Sequence, residues 1–501
     1  MTFHNNDLFC KDLPSIPNPG IGKILVTGAS GYIGGRLVPE LLERGYKVRV
    51  MVRIPSPEQN ERWPGAEIVV ADAIDKDRLS IALKGIHTAY FLIHSLLMGR
   101  MRLEDRELVT AENFKQIAEK QGVKRIIYLC GLGNIKSSLS SHLLSRMKVA
   151  ETLQNGNVPV TTLRAAIIIG SGSASYEIIN NLVKNVPIIL IPKWANTYCQ
   201  PIGIRDVIKY LVGVLEKDET TGKLYDIGGS DILTYKSMLK TLAFLQGKKR
   251  FLLPSPIKNY KIYGYFAGLL TPVPAPITMC LLEGCKNEVV CQNHGISKII
   301  DFTPLSFKEA ILRAMTREEQ DNIYTRWSDA YPPAHDLAMK LIDLEKPARY
   351  ITSYSLLTIK DASSLFKSIC NVGGNTGWFT NNWMWNLRGS IDRIFMGVGT
   401  SRGRRSSTTL RINDVIDFWR VEDLIKNERL LLRAEMILPG KAWLEFKIQP
   451  YSDQNLLSVK AYFQPRKWKG HIYWYNFLPF HHIIFNKLIH QIEKRSSHLN
   501  D

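Results

Sequence analysis

No two of the seven cysteines (Cys10, Cys130, Cys199, Cys280, Cys285, Cys291 and Cys370) are spaced C-x-x-C, and their number is odd. A disulfide framework and a zinc site are therefore both unsupported, and no metal is expected. Reduced thiols fit a cytoplasmic protein. The first twenty residues carry no apolar h-region, so no secretory signal is expected. Acidic residues are in short supply: 65 Lys and Arg face 46 Asp and Glu, a formal charge of +19. That balance suits an anionic partner, either a phosphate-bearing cofactor or an acidic membrane surface, or else it is a solvated basic surface. The basic residues are scattered, without a lysine-rich tail or an RNA-binding aromatic signature, so nucleic acid is not expected. An uninterrupted membrane span is missing too. Residues 262–282 lack charge and are long enough to cross a bilayer, but Pro272, Pro274 and Pro276 break any helix there. The segment reads as two short apolar helices joined by a proline turn. They pack in a core, line a pocket, or rest peripherally on the inner membrane face.

What is present is a chain of 501 residues, long enough for two or three domains. Residues 1–21 read as a polar tail. From Lys23 strands and helices alternate: helix near Gly34–Arg44, strands Lys47–Val52 and Glu67–Val70, helix Asp77–Leu83, strand Thr88–Ile93, helix Glu107–Gln121, strand Arg125–Leu129, helix Leu143–Asn155 and strand Val160–Ile169. This alternation predicts an α/β fold, a doubly wound parallel sheet of about six strands. From about 171 to 345 the pattern loosens, with short strands such as Tyr225–Ile227, and reads as a substrate lobe of the 22–345 domain. Seven of the ten tryptophans follow Pro347, with strand-like runs at Leu430–Leu438, Ala442–Ile448 and Leu457–Phe463 and an apolar helix near Phe480–Ile492. Residues 350–501 read as a separate α+β domain, an antiparallel sheet with a long C-terminal helix.

The strongest motif is Thr27-Gly28-Ala29-Ser30-Gly31-Tyr32-Ile33-Gly34. It follows a predicted strand and opens a helix, the setting a dinucleotide cradle requires. Gly28 permits the tight turn, Gly31 the approach of backbone N–H groups to a pyrophosphate, and Gly34 close helix–strand packing. The helix start and its dipole then favour the phosphates. An acid at the end of the second strand would bond the ribose 2′-OH of NAD; this strand ends instead at Arg53, whose planar fork suits a 2′-phosphate. NADP(H) is thus expected in preference to NAD(H). Asp72, followed by Ala73, either bonds the adenine edge or caps its loop.

These residues resemble an atypical short-chain dehydrogenase/reductase of the NmrA-like, complex-I-accessory-subunit group. The matching segments are TGASGYIG from Thr27, Arg53, VVADAID from Val69, LRAAIIIGSGSAS from Leu163, QPIGIRDV from Gln200, YDIGGSDILTY from Tyr225 and RWSDAYPP from Arg326. The tail, with TGW from Thr376, DVIDFWRVE from Asp414 and LRAEMILPGKAWLEF from Leu432, is similar to an uncharacterised bacterial domain that looks like the polyketide-cyclase/START helix-grip fold. The resemblance implies NAD(P)-dependent oxidoreduction of an apolar carbonyl or quinone-like small molecule.

One departure bears on mechanism. Short-chain dehydrogenases use Tyr-x-x-x-Lys, where the lysine lowers the tyrosine pKa for proton transfer. The corresponding helix, Ser140 to Glu151, has no tyrosine; His142 and Arg146 share its i, i+4 spacing. The usual serine after the preceding strand is replaced by Cys130-Gly131-Leu132-Gly133. His94 follows the strand Thr88–Ile93, at the edge where cofactor and substrate meet, and either serves as acid and base or satisfies local backbone. Tyr128 and Cys130 read as core residues or as reactive groups. The basic loop Ser401-Arg-Gly-Arg-Arg-Ser406 is a phosphate or headgroup site or a solvated loop. A non-catalytic NADP(H) sensor or assembly protein, its C-terminal domain docking a lipid or partner, is the alternative function.

Overall fold

The computed structural model describes residues 8–53, 55, 58–93, 103–133, 140–319, 325–330, 339–400, 402, 404–406 and 409–496. The chain divides into two compact units: Met1–Leu270 with Pro276–Tyr331, and Thr271–Ala275 with Pro332–Asp501.

In the first unit seven strands form one parallel sheet: β1 (Lys23–Val26), β2 (Val48–Val52), β3 (Glu67–Val70), β4 (Ile86–Phe91), β5 (Arg125–Gly131), β6 (Val160–Ala165) and β7 (Leu224–Ile227). Their order is β7-β6-β5-β4-β1-β2-β3, every pair parallel. This is a Rossmann-type sheet. Both its faces are covered, which is why the strands read as near-continuous apolar runs. Ile24, Val26, Ile127 and Leu129 join a core with α1 (Gly34–Glu43) and α5 (Ile204–Leu215). Leu25, Ile126, Tyr128 and Cys130 point the other way, into a core with α2 (Lys76–Leu83), α3 (Leu103–Lys120) and α4 (Ser141–Gln154).

Three sequence expectations need correction. Tyr225–Ile227 is no excursion of the lobe: it pairs in register with Leu163–Ala165 and makes a seventh strand of the main sheet. The expected run Val160–Ile169 breaks at Ala165, and Ile168–Ile169 pairs instead with Ile202–Gly203. Residues 8–21, grouped by composition with a polar tail, are packed. Leu8, Phe9, Cys10 and Leu13 are buried, and the Phe9 and Cys10 N–H groups both donate to the buried Glu40 carboxylate on α1. Arg44 donates to the carbonyls of Cys10 and Ser15 and pairs with Glu216 at 2.7 Å. Polarity misled here because the polar groups of the segment are spent on α1 and α5 rather than on water.

The lobe has its own core around Tyr176, Val183, Ile189, Ile191, Met238 and Ile311. The proline turn separates α6 (Tyr260–Leu270) from α7 (Ala275–Gly284). The helices meet at Gly264, where an added methyl would lie 2.6 Å from Met279 Cα. Among the described residues no helix is long and apolar enough to cross a membrane. All seven cysteines are free thiols.

The second unit is a six-stranded antiparallel sheet: β8 (Tyr350–Thr358), β9 (Val415–Ile416), β10 (Trp419–Ile425), β11 (Arg429–Ala434), β12 (Gly440–Tyr451) and β13 (Gln454–Pro465). The order is β8-β13-β12-β11-β10-β9. With it pack α8 (Ala362–Cys370) and the 29-residue α10 (Trp468–Ser496), which begins twelve residues earlier than the apolar pattern suggested (480 against 468); α9 (Asn382–Ile394) meets α10 through Trp385 and Phe485, ring centroids 6.4 Å apart. Trp474 of α10 stacks on Phe463 and Tyr350, with ring centroids 5.7 and 5.2 Å apart. The arginines of the 401–406 loop are structural rather than a phosphate site. Arg402 pairs with buried Glu435 at 2.7 Å, Arg404 donates to Val372 O, and Arg405 grips Asp414 through two bonds of 2.9 and 2.8 Å. Glu435 also binds Arg420 at 2.5 Å and lies 3.7 Å from Arg433, so three arginines surround one carboxylate.

Candidate functional site: the dinucleotide cradle

The strand order reverses between β1 and β4, and the crevice beyond their carboxyl ends is where open α/β sheets bind ligands. Thr27 closes this junction. Its N–H and hydroxyl both donate to Tyr90 O, at 3.1 and 2.9 Å, and its Oγ1 accepts from Leu92 N at 3.1 Å. Gly28 follows with φ +62°, and a methyl added there would lie 2.4 Å from Leu92 O. A methyl at Gly34 would lie 2.5 Å from Gly28 O. Only glycine permits this approach of loop, helix and neighbouring strand.

Gly31 also closes the turn through its own backbone. Its N–H turns inward and donates to Gly28 O at 2.9 Å, while its carbonyl accepts from Gly35 N at 3.0 Å. Among the described residues, the N–H groups of Ser30, Tyr32, Ile33 and Gly34 find no backbone acceptor. These are the donors that the start of α1 can present to an anion. Ala29 is buried beneath them. The cradle therefore fits a pyrophosphate, with glycines held against Leu92 O and open donors at the helix start.

Arg53, one residue past β2, is exposed, although the protein around it is dense enough that desolvation lowers its pKa from the ordinary arginine value. Asp72 opposes that shift, and the like charge of Arg106 adds to it. Asp72 caps its own loop, its Oδ1 accepting from Ile74 N at 3.1 Å. Buried Ala73 offers its carbonyl to Asn113 Nδ2 at 3.2 Å. Arg106 and Asn113 escaped the sequence reading. Their spacing of seven, two turns of α3, was the available signal.

At the β5 edge the arrangement is again polar. Arg146 of α4 donates through Nη2 to Leu129 O, and its guanidinium lies 5.8 Å from the centroid of the Tyr128 ring. Tyr128 Oη donates to Arg146 O at 3.2 Å. Burial opposes the charge of Arg146, but Tyr128, Cys130 and Glu107 outweigh it and hold its pKa above the usual arginine value. Burial pushes the Tyr128 hydroxyl and the Cys130 thiol up as well, so both stay protonated at neutral pH and neither is a ready nucleophile. Ser145 donates to Glu107 at 2.8 Å. His142, on the first turn of α4, is half-buried. His94 lies outside the described residues. Among the described residues no cluster of metal-ligating side chains occurs.

A further contact ties cradle to lobe. Buried Arg36 of α1 donates to Tyr32 O, Thr325 O and Ser171 O at 3.2, 3.0 and 3.0 Å. Thr325 Oγ1 donates in turn to Tyr32 O at 2.9 Å.

Residues 28–181 match the NAD(P)H-binding family. This part of the chain is an NAD(P)H-binding Rossmann domain. Residues 345–488 match DUF2867, a family of proteins of unknown function. The chain is 33% identical over 117 residues to a 3-beta-hydroxysteroid dehydrogenase of Mycolicibacterium neoaurum, covering 22% of this chain and 31% of that protein. The chain thus spans about a third of the length of that relative. It is 24% identical over 249 residues to the photosystem II assembly factor Ycf39 of Trieres chinensis, covering 48% of this chain and 76% of the relative. A triphenylmethane reductase structure from Citrobacter sp. is similar with a TM-score of 0.49 at 21% identity, over 59% of this chain and 99% of that one.

Proposed function

We propose that the protein is an NADP(H)-dependent reductase of an apolar carbonyl or quinone-like compound, working without the Tyr-x-x-x-Lys pair. The observation that carries this reading is Arg146, a permanent cation bonded to Leu129 O near the carboxyl end of β5. NADPH, when bound, supplies the reducing equivalents. Thr27 to Gly34 hold the pyrophosphate, and Asp72 and Ala73 border the adenosine. Arg146 stabilises negative charge developing on the substrate oxygen, as a fixed cation in a dry site does. His94 or His142 delivers the proton. Reductases and dehydrogenases among the similar proteins support the reading.

The test is NADPH oxidation across a panel of quinones and hydrophobic ketones, with His94→Ala, His142→Ala and Arg146→Met. Arg146→Met and one histidine variant are expected to lose roughly a hundredfold in turnover, with NADPH affinity unchanged. Full turnover in all three variants would overturn the assignment.

The preference for NADP(H) rests on Arg53, supported by Arg106 and by the absence of an acid at the end of β2. Arg53→Ala is expected to weaken NADPH by about 1–3 kcal/mol, the scale of charge-assisted bonds, and to leave NADH unchanged. Fluorescence titration of both cofactors reads this, and equal native affinities would contradict it.

A second reading has its own support. The relative matched over the larger share of its length is an assembly factor, and α4 lacks the proton-transferring tyrosine. In this reading NADP(H) binding stabilises a non-catalytic sensor or assembly protein. The second unit, read as a helix-grip-like domain on the strength of α10 lying on an antiparallel sheet, then docks a lipid or a partner. Tight NADPH binding with no oxidation across the panel favours it. The free thiols support a cytoplasmic setting for either reading.

A further inference from the structure

We propose that one face of the lobe, built on the ladder of Ile188–Ile191 with Phe251–Pro254, docks onto an anionic lipid bilayer. The two strands run parallel, with Ile188 opposite Phe251 and Leu190 opposite Leu253. Ile189 and Ile191 point inward and are buried in the lobe core. The outward residues are Ile188, Leu190, Phe251 and Leu253, and they are 51, 48, 65 and 47% exposed. A ladder with one solvated face alternates apolar-in and polar-out; this one is apolar on both faces.

The apolar surface continues along the chain. Ser255 N donates to Ile191 O at 3.0 Å, which binds the end of the ladder to the segment leading into α6. Exposed Ile257 lies in that segment, and Ile262, Phe266 and Leu270 form an exposed i, i+4, i+8 stripe on α6. Trp194 and Tyr263 meet edge to face at 5.6 Å, joining α6 to the turn after Ile191. Contiguous apolar patches of this kind mark interaction sites.

Charge identifies the occupant. Residues 184–199 and 244–270 contain Lys184, Lys193, Lys248, Lys249, Arg250, Lys258 and Lys261, and not one Asp or Glu. All six lysines are exposed. Arg250 is fixed at the start of its strand by bonds to Val183 O and Lys184 O, at 2.5 and 2.9 Å. The acid facing this region from α7, Glu283, acts on Tyr260, whose ring also carries Lys286 at 4.0 Å. An apolar face fringed by lysines matches a surface that inserts side chains at the acyl boundary while its cations meet anionic headgroups. A protein partner fits less well, since lysine is depleted in protein interfaces. Single-stranded nucleic acid would need a row of stacking aromatics, where this ladder is mostly aliphatic.

The test is flotation of the full chain, without cofactor, with vesicles of phosphatidylcholine alone or with about 30% phosphatidylglycerol, the anionic lipid being the electrostatic variable. Native protein is expected to bind the anionic vesicles at least tenfold better and to release as salt rises. Phe251→Ser with Leu253→Ser should weaken binding tenfold or more, and so should Lys248→Glu with Lys249→Glu. Circular dichroism melts establish that the variants fold; the salt dependence of the native protein needs no variant. Failure to bind anionic vesicles, or equal binding by native protein and the Phe251/Leu253 variant, overturns the proposal. So does a native dimer that the same variant turns into monomers with no vesicle binding, which would make the face a protein contact. None of these outcomes depends on NADPH turnover.

Discussion

Alanine at Gly28 is expected to weaken NADPH binding by at least about a hundredfold, or ~2.7 kcal/mol, and to lower the melting temperature of the NAD(P)H-binding domain. Two costs combine. The φ of +62° at this residue is one that a Cβ disfavours, by about 1–2 kcal/mol. The added methyl would also stand 2.4 Å from Leu92 O, far inside van der Waals contact. That carbonyl has little room to retreat, because Leu92 N is bonded to Thr27 Oγ1, and Thr27 is bonded to Tyr90 O. The turn must open, and with it the set of donors at the start of α1. Gly65→Ala isolates the first cost: φ is +88° there, and nothing lies within 4 Å of the added atom. Gly65→Ala should therefore lose about 1 kcal/mol of stability and no affinity. Calorimetric titration with NADPH decides the matter; a Gly28→Ala protein binding NADPH at native affinity would refute this account of the cradle.

The second large effect is expected in the other unit. Glu435→Gln should destabilise it by about 3–5 kcal/mol, the range for removing one partner from a buried ionic cluster. Glu435 is fully buried and accepts from Arg402 and Arg420, with Arg433 3.7 Å away. Burial alone would raise its pKa, but Arg420, Arg402 and Arg433 prevail and hold it below the ordinary glutamate value of 4.5. The neutral amide leaves three guanidinium groups facing one another, with Glu422, 3.8 Å from Arg433, as the remaining carboxylate beside them. Replacing the whole cluster by apolar residues of like volume would cost far less, since the desolvation of all four groups would vanish with their attraction. The sign of the pH dependence follows. A carboxylate with a lowered folded pKa contributes stability that is fully present above pH ~4.5 and is lost as pH falls through the folded value. Urea unfolding followed by tryptophan fluorescence should show this acid loss in the native protein and a flatter curve in Glu435→Gln. Equal stability at neutral pH would refute the role given to the cluster.

How far the sequence carried the reading differs from element to element, for physical reasons. The strands β1 to β6 and helices α1 to α4 were legible because both-face burial writes apolar runs, and helices write a 3.6-residue period. β7 was not, since four residues carry no period of their own and only the partner Leu163–Ala165 defines them. The tail at 8–21 misled because its polar backbone and side chains are satisfied by Glu40, Arg44 and Glu216, partners 28 or more residues away. Composition cannot register such contacts. The cradle was legible as a motif, yet the inward turn of the Gly31 N–H was not. The i, i+4 spacing put His142 and Arg146 on one helical face, but only the fold shows Arg146 bonded to the backbone of β5. The 401–406 loop looked solvated because Glu435 and Asp414, which take up its charges, come from later in the chain.

Arg36 gives the cradle a further property. Its three carbonyl acceptors belong to the glycine loop, to the turn at Ser171 and to the segment at Thr325. The guanidinium is buried, so a shift of any one strand of this knot strains bonds that water cannot replace. A molecule bound in the lobe would therefore be coupled to the cofactor through this knot, and such coupling is reciprocal: the factor by which NADPH changes affinity for that molecule is the factor by which the molecule changes affinity for NADPH.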